Sequence, residues 1–133
     1  MNRKNTDTQG INILSEKIIG AAIEVHKNLG PGLLESIYEE CLCFELSQID
    51  LNIKRQLPLP IIYKNVKLDC GYKLDIIVED AIILEIKAVE NIMPVHEAQL
   101  LTYLKLINKK LGLLLNFNVP VLKEGIKRIV NNF

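Results

Sequence analysis

Gly71-Tyr72-Lys73-Leu74-Asp75-Ile76-Ile77-Val78-Glu79-Asp80-Ala81-Ile82-Ile83-Leu84-Glu85-Ile86-Lys87 is the stretch that decides the fold. A period of two runs through it: Leu74, Ile76 and Val78 fall on one side of a first strand, with Lys73, Asp75 and Ile77 on the other. Ile82, Leu84, Ile86 and Ala88 then alternate with Ile83, Glu85, Lys87 and Val89. The segments 76–78 and 81–84 are so apolar that the sheet has to be covered on both faces, which makes charges within it costly unless they are paired or used. The register matters as much as the pattern. A two-residue Glu79-Asp80 turn would pair 75 with 84 and send Asp75 and Glu85 to opposite faces. A three-residue loop or a bulge brings 75 opposite 85 and 73 opposite 87, aligns Leu74 with Ile86 and Ile76 with Leu84, and is the arrangement expected here.

Working outward, residues 13–29 read as a helix on the spacing of Ile18, Ile19, Ala22, Ile23 and Val25, with Ser15 as a candidate cap. Gly30-Pro31-Gly32 ends it, and a second helix follows over about 33–49 with Leu34, Ile37, Tyr38, Cys41, Leu42 and Leu46 on its apolar face. Pro58 and Pro60 exclude helix after Ile53, so 57–63 and 66–68 read as strands around a Lys64-Asn65 turn. Pro94 suits a first helical position, and Val95 to Lys109 forms a third helix facing Ala98, Leu101, Leu104 and Ile107 inward. A buried strand, 111–117, comes next; 126–130 reads equally as strand or helix. The order ααβββαβ predicts an α/β protein with a mixed sheet flanked by helices and a right-handed parallel crossover near its end.

The chain has 133 residues, 49% of them hydrophobic and 24% charged, with formal net charge zero. This fits one globular domain over 11–133 behind a flexible stretch at 1–10, with no apolar run long enough for a bilayer and a cytoplasmic location. Zero net charge excludes a broad electrostatic grip on polyanions, yet 16–50 is acidic and 101–133 basic, through Lys105, Lys109, Lys110, Lys123, Lys127 and Arg128. Lys105, Lys109 and Lys110 are expected on the outer side of the third helix, close enough to a catalytic site to guide phosphates. Cys41, Cys43 and Cys70 form no CxxC pair, and Cys41 and Cys43 diverge on a helix, so inert buried thiols are expected. Neither a Ser/His/Asp set nor a glycine-rich phosphate loop occurs.

Asp75, Glu85 and Lys87 put two carboxylates and an amine on one face of adjacent strands. Two acidic oxygens suit a hard divalent cation, Mg²⁺ or Mn²⁺, and the Ile86 carbonyl can complete the shell. Lys87 would then orient the attacking water and steady charge developing on a phosphoryl group. A charged strand face exposed to solvent produces the same spacing.

With Gly32-Leu33-Leu34-Glu35-Ser36-Ile37-Tyr38, Gly71-Tyr72-Lys73-Leu74-Asp75, Glu85-Ile86-Lys87, the run 94–103 and Asn116-Phe117-Asn118-Val119-Pro120, the chain closely resembles the GxxExxY proteins of the PD-(D/E)XK nuclease-like superfamily over about 11–131. The resemblance implies a restriction-endonuclease-like fold and a metal-dependent nuclease core acting on nucleic acid, DNA ahead of RNA. It implies Asp75 and Glu85 as metal-binding acids, Lys87 as the catalytic lysine and Glu35 as an upstream helical acid on the metal or its water. Gln99 and Tyr103 are similar to the Q-x-x-x-Y element of RecB-like nucleases, which neighbours the metal, and His26 to their upstream histidine ligand. Each has a plainer structural explanation: a helix-dipole glutamate for Glu35, a core-edge tyrosine for Tyr103, a dipole-favoured histidine for His26, and core packing for Tyr38; His96 is the weaker of the two histidine candidates for a ligand. The alternative to a nuclease is a non-catalytic module on the same fold that binds nucleic acid or protein, or assembles with itself; a homodimer is compatible with either.

Overall fold

A computed structural model describes residues 3–133, with side chains from Thr8 onward. Two helices come first, α1 (Arg3–Leu29) and α2 (Glu35–Gln48), followed by β1 (Ile53–Pro58), β2 (Ile61–Tyr63), β3 (Val66–Leu68), β4 (Lys73–Val78) and β5 (Ile82–Lys87). Then come α3 (Pro94–Ile107), β6 (Leu111–Asn116), a short 3-10 helix (Leu122–Gly125) and β7 (Ile126–Val130). The helix expected from residue 13 begins at Arg3, so most of the stretch expected to be a flexible leader is helical backbone, while Met1 and Asn2 lie outside the described residues. Ser15, the candidate cap, is buried within that helix. The run 57–63 divides: β1 belongs to the main sheet, and β2 pairs with β3 as a separate two-stranded hairpin. Residues 126–130 are a strand.

The main sheet has five strands in the order β1-β4-β5-β6-β7. Only the β5–β6 pair is parallel, bridged by α3 as the expected crossover. α1 and α2 cover one face, where Ile18, Ala22, Val25, Tyr38 and Leu42 pack on Ile76, Val78, Ile82, Leu84 and Ile86. α3 covers the other, with Leu100 and Leu104 against Ile83, Leu114 and Ile129. Leu100, and not the expected Ala98, points inward; Gly112 in β6 leaves the room it needs, since a Cβ there would press on its side chain. The architecture is the restriction-endonuclease-like α/β fold that the sequence implied.

The hairpin register agrees with the expectation over the three pairs that form, and the pairs expected at 75/85, 74/86 and 73/87 do not form. Ile76 lies opposite Leu84, Ile77 opposite Ile83 and Val78 opposite Ile82 across a three-residue loop of Glu79, Asp80 and Ala81. One departure shapes the site. Leu74 was expected on the face of Ile76, yet it packs with Ile83 and Leu114 beneath α3, whereas Ile76 packs beneath α1 and α2. β1 makes the same switch, Ile53 siding with α1 and α2 and Leu57 with α3. Pairing of β1 with β4 holds from 53/78 to 55/76 and again from 57/74, and the gap falls at Gln56 and Asp75. Gln56 takes a left-handed φ of 50° there. The alternation therefore inverts at Asp75, and the carboxylate turns toward β5.

The candidate metal centre

The β4–β5 ladder stops at Ile76–Leu84, and beyond that point side chains replace the missing strand partner. The Asp75 carboxylate (Oδ2) accepts the Ile86 N–H at 2.8 Å. Glu35, on the first turn of α2, accepts the Ala88 N–H at 3.1 Å. In an extended strand the N–H and C=O of one residue point the same way, so the Ile86 carbonyl opens into this gap between the two acids. On the opposite edge Asn116 fixes the chain leaving β5: its Oδ1 accepts from Val89 N at 3.1 Å and from Asn118 N at 3.2 Å, and its Nδ2 donates to Val89 O at 2.9 Å. Phe117 N adds a bond to Lys87 O at 2.9 Å.

Glu85 is buried, 4% exposed, and lies within hydrogen-bonding reach of Asp75. Burial first and the Asp75 charge second push its carboxyl up to about 8, against a smaller downward pull from Lys87. Asp75 is likewise raised, mainly by burial, while the Ile86 N–H holds it down and the Glu39 charge pushes it up. Both shifts favour keeping a proton on the pair, and the titration belongs to the two acids together. A divalent cation would take that proton's place. The donor set of two carboxylates and a backbone carbonyl, all hard oxygens, fits Mg²⁺ or Mn²⁺, which commonly use one or two protein carboxylates and complete the shell with water and substrate oxygens. Among the described residues no group of three or more His, Cys, Asp or Glu side chains is arranged around one metal position. Glu35 accordingly stands at the rim, on the Ala88 amide.

The structure treats the remaining site candidates differently. Tyr103 reaches the centre through Tyr72: the two rings meet at a tilt of 33° with centroids 4.4 Å apart, and the Tyr72 hydroxyl donates to Glu85 Oε1 at 3.4 Å. Burial, the hydrogen bond with Tyr103 and the Glu85 charge all raise the Tyr72 phenol, which stays protonated as a donor. Gln99 is exposed one turn before Tyr103. His26 is not brought to the acids; it is buried with Nε2 2.8 Å from the Val119 carbonyl oxygen, beside the Phe117 ring. His96 closes the start of α3, its Nδ1 accepting from Met93 N at 2.9 Å. Tyr38 packs in the core as its plainer reading had it, stacked on Phe117 at 4.5 Å. Its hydroxyl donates to Gly30 O at 2.6 Å and accepts from Leu33 N at 3.1 Å, tying down the corner that presents Glu35.

Lys105, Lys109 and Lys110 lie at the wrong end for the track assigned to them. α3 starts near the end of β5 and runs back along the sheet, so its C-terminus meets the 79–81 loop, where Lys109 pairs with Asp80 at 3.4 Å. Asp80 lies five residue steps from Asp75 along β4 and its turn, roughly 16 Å at ~3.3 Å per residue. Cys70 is exposed, contrary to the expectation of three buried thiols, whereas burial pushes the Cys43 thiol up to about 11.

Two groups at this centre escaped the sequence reading. Glu39 is buried, held by Arg55 at 2.9 Å and by Gln56 at 2.8 Å, and acts on Asp75 by charge. Its signal was its position four residues after Glu35, on the same helix face. Tyr72 precedes β4 by one residue, and only its tertiary contact with Glu85 reveals its part.

A family profile for the PD-(D/E)XK nuclease superfamily matches residues 12–129. The chain belongs to this superfamily. No curated protein and no solved structure matches it. For a PD-(D/E)XK chain, the Asp75 and Glu85-Ile86-Lys87 geometry falls within the matched span, and divalent-metal nuclease chemistry is the general activity of the superfamily. No helix among the described residues is long and apolar enough to cross a membrane.

Proposed function

We propose that this protein hydrolyses phosphodiester bonds in nucleic acid, DNA ahead of RNA, with Mg²⁺ or Mn²⁺ held by Asp75, Glu85 and the Ile86 carbonyl, and that it is a cytoplasmic member of the GxxExxY group. The observation that carries the reading is the inversion at Asp75, which spends a strand position to turn a carboxylate toward Glu85 beside the Ile86 carbonyl. Bound there, the cation supplies Lewis acidity toward water and the phosphoryl oxygens. Lys87, on the Glu85 side of β5, orients the attacking water and offsets charge developing on phosphorus. Tyr72 and Tyr103 orient Glu85 through the phenol hydrogen bond, and Glu35 holds the Ala88 amide so that the end of β5 keeps its line.

Two substitutions separate these roles. Glu85→Gln keeps size and removes a ligating charge, so Mn²⁺ affinity by calorimetry and cleavage of single-stranded, duplex and branched substrates both fall. Lys87→Ala leaves the ligands in place and removes a cation beside them, so cleavage drops by two or more orders of magnitude while Mn²⁺ affinity holds or rises. Cleavage by Lys87→Ala as fast as by the parent would refute the mechanism. A second reading, a nucleic-acid- or protein-binding module with idle acids, draws on the two-carboxylate set, which lacks a third side-chain ligand among the described residues. A parent that binds Mn²⁺ and cleaves none of the three substrates would establish that reading instead.

A further inference from the structure

With Lys109 and Lys110 at the far end of the sheet, a different cation-bearing element joins the sheet at the end where Asp75 lies. The β2–β3 hairpin leaves the main sheet between β1 and β4, and its base is closed by a hydrogen bond from Leu59 N to Tyr72 O at 2.9 Å. Tyr72 is the residue whose hydroxyl donates to Glu85. The hairpin pairs only with itself: Ile61 with Leu68, Ile62 with Lys67, Tyr63 with Val66. Lys64 and Asn65 form its turn with φ of 50° and 63°, the left-handed pair of a tight type I′ connection, so the tip is a fixed shape. Every residue from Ile62 to Cys70 is exposed, Tyr63 by 59%. Lys64 stands 5.5 Å over one face of the Tyr63 ring. Lys67 faces outward from the other side of the ribbon, and Lys73 is exposed at its base. The one acid on the excursion, Asp69, is spent on its own turn, accepting from Gly71 N at 3.0 Å.

Resting on the nucleic-acid reading of the site, we propose that this hairpin is the substrate-docking element: Lys64, Lys67 and Lys73 take backbone phosphates, and the exposed Tyr63 ring stacks on a base or sugar of the strand led to Asp75 and Glu85. A two-stranded ribbon fits a major groove, and an aromatic ring flanked by cations is the general device for holding a single strand. An isolated hairpin of this size is marginal alone, so it gains from a partner. A second copy suits it less: three residue pairs span about 10 Å, too little for the ~800 Å² per partner of a standard interface, and two copies would set lysine against lysine.

The test is binding of labelled single-stranded and duplex oligonucleotides, in EDTA so that cleavage does not intervene, across a salt series. Lys64→Gln with Lys67→Gln should lower affinity for both substrates and flatten the duplex slope of log K against log salt by about 1.8, and the Lys→Arg pair should restore it. Tyr63→Ala should weaken single-strand binding by about tenfold or more. All these positions are exposed, and unchanged denaturation midpoints would exclude misfolding. Affinity and slope equal to the parent's in both variants, or a parent that binds neither oligonucleotide, would overturn the proposal, as would a change in mass by light scattering with binding intact, which would make the hairpin a self-association surface. A parallel cleavage assay in Mn²⁺ keeps the two readings apart. Hairpin-dependent binding without cleavage upholds this inference and removes the hydrolase, and cleavage by hairpin variants that bind like the parent does the reverse.

Discussion

Glu85 is pushed twice in the same direction: the sheet buries it, and Asp75 repels its charge. Below about pH 4.5 the folded and unfolded chains both carry its proton; between there and about 8 the folded chain keeps a proton that the unfolded chain has released. Stability in the absence of divalent ions therefore falls as pH rises across that window and levels off above it, at ~1.4 kcal/mol for each pH unit crossed. Glu85→Gln, which has nothing to ionise, should show a flatter profile and stand a few kcal/mol above the parent at pH 8; urea denaturation at pH 5, 6, 7 and 8 in EDTA makes the comparison. Parallel profiles for the two proteins would mean that Glu85 ionises freely in the fold. That Asp75 and Glu85 come close together was legible in the sequence because a three-residue loop sets β4 against β5, although no 75/85 strand pair forms. Glu39 was not, since an acid on an acidic helix looks like solvated surface until Arg55 and Gln56 close over it. Nor was the inversion at Gln56 and Asp75, because a strand's alternation is a local rule and the left-handed φ that breaks it is paid for by a contact with another element.

Among the elements, α2 shows how a core side chain holds a corner of the fold without touching the acids. Tyr38 is fully buried on Phe117, and its hydroxyl satisfies both Gly30 O and Leu33 N across a corner whose glycines take φ of 68° and 100°. Tyr38→Phe keeps the stacking and takes a partner from Gly30 O and Leu33 N, both open in part to water, so it should cost about 1 kcal/mol in denaturant unfolding. Mn²⁺ affinity should change little, because Asp75 and Glu85 sit on strands that the corner does not anchor. A fall in metal affinity larger than the fall in stability would instead give the corner a direct part in the site. The helices themselves were readable from their apolar spacing and from Gly30-Pro31-Gly32 and Pro94. The strands on the flanks were harder: Pro58 and Pro60 mark a break but do not say that the chain leaves one sheet to build another, and 126–130 became a strand only because β6 offered it an edge.

Taken whole, the molecule places its acids beyond the end of the β4–β5 ladder, and under the proposed metal-binding role a cation held there only by the folded chain would link binding to folding. Mn²⁺ at a hundred times its dissociation constant should stabilise the protein by about 2.7 kcal/mol, by more at pH 8 than at pH 6 because the shared proton must leave, and Asp75→Asn should abolish the gain; thermal unfolding with and without Mn²⁺ reads it directly. An equal gain in Asp75→Asn would locate the ion elsewhere. The overall location of the positive charges was the part least visible beforehand, since the direction in which α3 returns decides which end of the sheet receives Lys109 and Lys110. The strands on either side of the Glu79, Asp80 and Ala81 loop also limit how this chain can vary in length over generations. A residue gained or lost in the loop itself leaves Val78 opposite Ile82, whereas a single residue gained or lost between Asp75 and Val78, or between Ile82 and Glu85, would slip the register and turn one acid away from the other. Lineages that keep the chemistry should therefore vary the loop and hold those two strand lengths fixed.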